Sequence, residues 1–551
     1  VFFVAVSNAR AHTATAEKNM IATVHPMATD AGVEVFREGG NAIDAAVTAA
    51  LTLGVVDGYN SGIGGGCLIL IRTADGKFTA IDGREMAPMA ARKNMFVKDG
   101  KPIPTASQTG PLASGTPGAL AAYQIALDRC GTKKLAHTLQ PGIKAAEDGF
   151  EIRPSYANSI ESVAKNLKQF DGSRAIFFHA DGKPLQAGER LIQSDLAETY
   201  RQIAERGSDW FYRGPLAKTV GEWMAANGGI LTAADFAAYK AKIREPLKTT
   251  YRGYSIVGFP PPSSGGIHVA QILNILEAFD LKSLHEHDPA MATHVISEAF
   301  KLAFADRAFW LGDADFVTVP RGLTSKTYAR GLASKIHMKR ATEVETHGSP
   351  PNFAQDVFGR HTTHIAAADA AGNWVAITAT VNTTFGSKVV VPGTGVVLND
   401  EMDDFSIYPG MPNAFGLVGA ENNSVEPGKR PLSSMSPTIV LDKSGKPVMT
   451  VGAAGGPKII TQVVLAIIRV FDFDQSLADA IEGRRFHHQW RPNAVSYEKG
   501  MKPEIVETLR QRGHNVEEVD SGGRSQAIMV GKDGNLVGVA DPRSDGKAAG
   551  E

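Results

Sequence analysis

The chain has 551 residues, with 57 Lys and Arg against 58 Asp and Glu and a formal net charge of −1. That balance excludes a nucleic-acid binder working through bulk electrostatics, because neutralising phosphates needs a surplus of cationic side chains. A content of 43 % hydrophobic and 21 % charged residues excludes disordered and collagen-like classes and suits a soluble globular chain with a sizeable core.

At roughly 150 residues per domain, length alone allows three or four domains. Cys67 and Cys130 cannot build a disulfide framework and stand in no metal-ligand spacing, so both read as small buried apolar residues. Their scarcity does not decide the compartment. No apolar run reaches the ~18 residues that a membrane span requires.

In chain order, Val1–Val6 (VFFVAV) followed by Ala9-Arg10-Ala11 reads as the end of a signal peptide with an A-x-A site, which predicts a periplasmic or secreted protein. A competing reading takes Ser7-Asn8-Ala9 as the scar of a removed tag. Residues 1–11 are therefore set apart from the fold. Thr29 to Glu38 reads as a helix stopped by Gly39-Gly40, and Asn41 as the cap of a second helix with Ile43, Val47, Ala50 and Leu51 on one buried stripe. The glycines of Ser61–Gly66 do not fit a nucleotide loop. A GxGxxG starting at Gly62 would need glycine where Cys67 stands, and the run precedes a strand. Close passage of backbone against another element explains them better. Thr105 to Ala341 is mostly helical in pattern, broken at Gly258–Gly266 by a Pro/Gly/Ser stretch that reads as a rigid surface loop.

From His361 the period changes from 3.6 to 2. Thr362–Ala368 and Trp374–Asn382, joined at Asp369–Asn373, predict a β-hairpin. If the turn pairs Asp369 with Trp374, Thr362 lies opposite Val381, beside Thr380 and Asn382 on one face. A threonine at a strand start suits one chemistry. If the chain is cut before it, its hydroxyl and its freed α-amine, of pKa near 8, become nucleophile and base on one residue. A threonine there can equally be a simple β-former. His294 and Glu298 fall four apart without the second histidine of HExxH, and His487-His488 would point to opposite faces of a strand. Neither pattern predicts a metal. On local chemistry alone, Arg84 reads as a surface ion pair, Asp403-Asp404 as a cap and Ser433-Ser434 as loop.

Three stretches change that reading: Thr362-Thr363-His364; Asn382–Gly386 (NTTFG) with Met402–Ser406 (MDDFS); and Lys429–Thr438 (KRPLSSMSPT). With Gly39–Ala46, Ser61–Gly66, Asp82–Glu85, Pro260–Gly266, Ala305–Arg307, Arg485–Trp490 and Asp541–Ser544, they stand in the order found in γ-glutamyltranspeptidases. The chain resembles that family, of bacterial type, from about residue 17 to its end. The resemblance implies the four-layer αββα sandwich of N-terminal nucleophile hydrolases, made from one precursor cut between His361 and Thr362. A large subunit of residues 12–361 and a small subunit of residues 362–551 would form one such domain as a heterodimer. It further implies Thr362 as nucleophile, Thr380 as the second hydroxyl of a Thr/Thr dyad, and Gly455 and Gly456 as oxyanion donors. Arg84, Ser433 and Ser434 would take the α-carboxylate of a γ-glutamyl group, and Asn382, Glu401 and Asp404 its α-ammonium. Residues 409–427 resemble a lid in which Phe415 replaces a common tyrosine, so the aromatic ring packs but its hydroxyl bond is lost. The implied substrates are glutathione and related amides, with water, amino acids or short peptides as acceptors, and no cofactor or metal. Two alternatives are a cephalosporin or glutaryl-amide acylase and an uncut, inactive binding homologue. Glu401 and Asp404 argue against the acylase, whose substrates bring no ammonium to pair with them.

Overall fold

The computed structural model describes residues 11–351, 364–408 and 410–551. His364–Ala368 and Trp374–Thr380 are buried along their whole lengths, as is all of Gly66–Arg72 except Arg72. Strands apolar on both faces need a layer on each side, and alternation divides their side chains between the two. Ile69, Ile71, Ile365, Ala367, Val375 and Ile377 join the core beneath outer helices. Leu68, Leu70, Ala366, Ala368, Trp374 and Ala376 join a separate core that also contains Val257, Phe259, Ile439 and Ile528 of the other sheet. Each large aliphatic side chain buried there contributes roughly 2 kcal/mol.

The result is two antiparallel seven-stranded sheets. Across one run Lys547–Gly550, Met20–Thr23, His364–Ala368, Trp374–Thr380, Gly66–Arg72, Phe78–Gly83 and Lys242–Arg244. Across the other run His12–Ala16, Leu536–Ala540, Arg524–Val530, Pro447–Ala454, Thr438–Leu441, Tyr254–Gly258 and Leu247–Tyr251. Helices Pro26–Arg37 and Ala42–Val56 cover the first sheet, and Ser264–Leu276 and Lys458–Phe471 the second. This is the expected αββα sandwich, not three or four domains in series. Among the described residues no helix is long and apolar enough to cross a membrane.

Several local expectations need correction. The first helix begins at Pro26, three residues before Thr29, because proline suits the first helical position and His25 accepts the Met27 N–H. Asn41 does cap the second helix, in a reciprocal box with Asp44, but that helix is buried on every side. Its alanines and threonines let helices Ala119–Cys130 and Gln140–Asp148 close over the face away from the sheet. Cys67 is buried while Cys130 is only half-buried. The Ser61–Gly66 reading holds: a Cβ on Gly65 would lie 1.8 Å from the Thr380 carbonyl oxygen.

Gly258–Gly266 is buried, not a surface loop, because Ser263 pairs with Ser433 and Ser264 N donates to the Ser433 carbonyl. The hairpin register is one residue away from the expected one, with Ala368 opposite Trp374 and His364 opposite Thr378. Asp369 causes the shift. Its backbone N–H bonds the Asn373 carbonyl and its carboxylate takes the Asn373 amides, closing a tight loop with Gly372 at φ 94°. Its Oδ2 also accepts the Ala42 N–H at 2.9 Å, so the turn helps cap the second helix. The second strand ends at Thr380, and Asn382 at φ 80° breaks the alternation that would have put the two on one face.

Candidate active site

Arg84 leaves the end of strand Phe78–Gly83 and is fully buried. Its backbone N–H is fixed by Asp82 Oδ1 at 2.9 Å, and Asp82 Oδ2 is gripped by Arg244. Burial alone would raise Asp82, but Arg430 and Arg244 outweigh it and hold the carboxyl below its ordinary range. The Arg84 guanidinium reaches Asp404 Oδ2 at 2.7 Å, Glu85 Oε2 at 3.3 Å, Glu401 Oε1, and the Pro431 carbonyl at 3.3 Å. It is therefore a buried ion pair, not a surface one.

Three buried carboxyls on one cation leave an excess of negative charge. Burial first, then their mutual repulsion, raises Glu401 well above the usual range and Glu85 to about 7, against the pull of Arg84. Burial likewise raises Asp404 although Arg84 opposes it. Glu401 and Asp404, expected at the ammonium pole, are thus closed on Arg84, expected at the carboxylate pole. Asp403-Asp404 does not cap a regular helix; both residues lie in the 3-10 turn Glu401–Asp404.

Ser433 and Ser434 follow Pro431 after Leu432, so Arg84 bonds the same segment. The Ser433 carbonyl accepts Ser264 N at 3.1 Å and the Ser264 hydroxyl, and Ser434 Oγ accepts Arg307 Nη2 at 3.3 Å. Thr380 Oγ1 accepts the Asn382 N–H at 2.7 Å, and the Asn382 amide donates to the Asp400 carbonyl at 3.0 Å. Sequence reasoning missed two residues, Asp400 and Lys388, that fasten this corner around Thr383. Asp400 accepts both the N–H and the hydroxyl of Thr383, and Lys388 donates to the Thr383 hydroxyl at 2.7 Å. Burial lifts Asp400 to about 6 despite Lys388. The Lys388 and Thr383 contacts could have been sought from the NTTFG run, but nothing local marked Asp400.

Gly455 and Gly456 end strand Pro447–Ala454 at φ 131° and 58°, just before helix Lys458–Phe471. Among the described residues neither N–H meets an acceptor. A Cβ on Gly456 would lie 2.7 Å from the Phe415 ring, so that ring rests on the glycine. The segment around Phe415 is fastened by polar groups. Asn413 donates to Asp404 Oδ1 at 3.2 Å, Ala414 N to Asp403 Oδ2 at 2.8 Å, and Gln489 to the Phe415 carbonyl at 3.2 Å.

His361 and Thr362 lie outside the described residues. The His364 ring lies between the sheets, 3.1 Å from Thr378 Oγ1 and against Gly452, and burial holds it neutral, down to about 3. Of the named residues, the structure joins Arg84, Glu401 and Asp404 directly. Ser433 and Ser434 are tied in through Pro431, Asn382 and Thr380 through Asp400, and Gly456 through Phe415 and Asn413.

The histidine reading is also corrected. His294 and Glu298 do have a second histidine, His514, which lies 2.7 Å from His294 Nδ1 and 3.8 Å from Glu298. These donor atoms are satisfied by one another and by Lys301, whose ammonium sits 2.7 Å from Glu298. The cluster reads as a hydrogen-bonded tie between helix Pro289–Trp310 and the C-terminal third. His487 bonds Thr461 and Gln489, while His488 bonds Asn493 and the Trp490 N–H, so the neighbours have separate partners.

A family model described as gamma-glutamyltranspeptidase matches residues 28–551. The glutathione hydrolase proenzyme of Escherichia coli (strain K12) is 44 % identical over 539 residues, covering 97 % of this chain and 92 % of that one. Acylase ACY 1 proenzyme of Pseudomonas sp. (strain SE83) is 39 % identical, with 97 % and 93 % covered. The crystal structure of cephalosporin acylase from Bacillus halodurans superposes with a TM-score of 0.88 at 29 % identity, covering 100 % of this chain and 99 % of that one.

Proposed function

The chain belongs to the γ-glutamyltranspeptidase family, and from that premise we propose that it is a self-processing γ-glutamyltransferase and glutathione hydrolase. The precursor cuts itself before Thr362. The Thr362 hydroxyl attacks the His361 carbonyl carbon, the C–N bond breaks so that the peptide becomes an ester and the threonine amine is freed, and water hydrolyses the ester to release the His361 carboxylate and restore the hydroxyl. Residues 12–361 and 362–551 remain together as a heterodimer. In the mature enzyme the Thr362 amine takes the hydroxyl proton as the oxygen attacks the γ-carbonyl of the donor. The N–H groups of Gly455 and Gly456 receive the oxyanion, each such donor being worth roughly 3 kcal/mol in other enzymes. The amine returns the proton to the leaving group, and water or an amino-acid or peptide acceptor then takes the γ-glutamyl group from Thr362. Thr380 hydrogen-bonds the nucleophile. A site outside the cytoplasm rests in this reading on the Val1–Ala11 stretch alone.

The observation that carries the reading is the buried set of Arg84, Glu401 and Asp404 beside Ser433 and Ser434. A γ-glutamyl donor brings an α-carboxylate and an α-ammonium together. It can exchange the internal pairing of Arg84 with Asp404 for two matched contacts, leaving no buried charge alone. A glutaryl or cephalosporin donor brings no ammonium, so it leaves Asp404 and Glu401 nothing in return. The acylase reading still has support in the acylase relatives, and the choice of donor separates the two. Release of p-nitroaniline from γ-glutamyl-p-nitroanilide is expected to exceed release from glutaryl-p-nitroanilide by at least ~100-fold. Faster release from the glutaryl compound would make the protein an acylase.

A further inference from the structure

Arg307 has no part in the reaction as derived above. It lies on helix Pro289–Trp310 and is 2 % exposed. Nε donates to Ser264 Oγ at 3.1 Å and Nη2 to Ser434 Oγ at 3.3 Å. Ser264 in turn donates both its N–H and its hydroxyl to the Ser433 carbonyl. One guanidinium therefore braces both serines of the carboxylate pole.

Its charge is not balanced among the described residues. Among the described residues no carboxylate lies within ion-pair distance of Arg307, and the carboxylate with most influence on it, Asp404, is held by Arg84 at 2.7 Å. Burial pulls Arg307 down to about 9, which leaves it a cation at neutral pH. A buried guanidinium with only hydroxyl partners is costly to keep. Arg84 is in the opposite condition, with three carboxylates and a carbonyl on its guanidinium. Of the two cations flanking Ser433 and Ser434, Arg307 has the charge to spare for an incoming anion.

We propose that Arg307 is a second cation of the carboxylate pole, a specificity-determining residue whose missing counter-ion is the α-carboxylate of the donor seated on Ser433 and Ser434. The assignment rests on the γ-glutamyl reading above. It implies that the enzyme discriminates α-carboxylated donors through the field of Arg307 and the hydroxyls it orients, as well as through Arg84.

The test uses the full-length, self-processed enzyme and two donors, γ-glutamyl-p-nitroanilide and 4-aminobutyryl-p-nitroanilide, which keeps the ammonium but lacks the α-carboxylate. Wild-type preference for γ-glutamyl over glutaryl donors checks the underlying reading separately. Arg307→Gln is expected to raise KM for the γ-glutamyl donor roughly 10- to 100-fold, with kcat changed by less than about threefold. With the 4-aminobutyryl donor kcat/KM should stay within about threefold of wild type, and Arg307→Lys should recover part of the KM. The rise in melting temperature given to wild type by L-glutamate should be lost in Arg307→Gln, a readout independent of turnover. Equal losses with both donors, an unchanged KM, or failure of both variants to accumulate as folded two-chain enzyme would make Arg307 a scaffold residue and overturn the proposal.

Discussion

Asp404 holds the Arg84 guanidinium with one oxygen and Asn413 with the other. Its removal should therefore be felt at Arg84, at Asn413 and, in the proposed reading, at the ammonium of the donor. Asp404→Asn is expected to lower kcat/KM for γ-glutamyl-p-nitroanilide by at least ~100-fold, while glutaryl-p-nitroanilide, with no ammonium to lose, changes little. Steady-state kinetics with the two donors checks this. Gly456→Ala should cost roughly tenfold or more in kcat, because φ 58° disfavours a side chain and the new Cβ would meet Phe415 at 2.7 Å. Little of this was legible at the residue scale. The motif supplied Arg84 and Asp404, but they lie 320 positions apart and their direct pairing is a product of folding. Gly65 was readable as a close approach because only glycine tolerates the Thr380 carbonyl at that distance.

Among the elements, the hairpin of His364–Ala368 and Trp374–Thr380 was legible in type but not in register. Period 2 and the turn residues announce a hairpin, whereas the register is decided by the Asp369 side chain folding back on Asn373 and reaching Ala42. Asp369→Ala should destabilise the protein by about 1–2 kcal/mol, read from denaturant unfolding, since it uncaps both the turn and the helix. The burial of Gly258–Gly266 was illegible for a related reason: its composition marks a loop, and only the Ser433 segment decides that the loop lies inside. The tie of helix Pro289–Trp310 to His514 spans 220 positions, beyond any local pattern. Burial lowers His514 to about 4 and lowers His294 as well. Between pH 6.5 and 4 the unfolded chain binds the His514 proton and the folded one does not, so this histidine subtracts stability as pH falls. His514→Gln should therefore gain on wild type over that range, by up to ~1.4 kcal/mol per pH unit. Unfolding curves at pH 7, 5.5 and 4.5 would show the gap closing or reversing, and a constant gap would contradict the shift.

At the scale of the molecule, the proposed subunits are interleaved. Strands His364–Ala368 and Trp374–Thr380 of the second piece lie between Met20–Thr23 and Gly66–Arg72 of the first. In the other sheet, Thr438–Leu441 pairs with Tyr254–Gly258, and Leu536–Ala540 with His12–Ala16. Separating the pieces would open both sheets and the core between them, so the cut protein should elute as one species and melt in a single transition. Calorimetry on processed enzyme and uncut Thr362→Ala protein should give single peaks within a few degrees of each other. The αββα layering was expected from the resemblance, and the alternation of these strands is its physical cause. The near-zero net charge accords with a substrate whose charges are met by buried partners and not by a surface field.

Whether Thr362 becomes the nucleophile by self-cleavage is read from the intact mass of purified protein. Wild type should resolve into two chains divided between His361 and Thr362, with turnover appearing as the precursor disappears. Thr362→Ala should remain one chain without turnover. A wild-type protein that hydrolyses γ-glutamyl-p-nitroanilide while staying at full length, or a Thr362→Ala protein that is cut and active, would contradict the account.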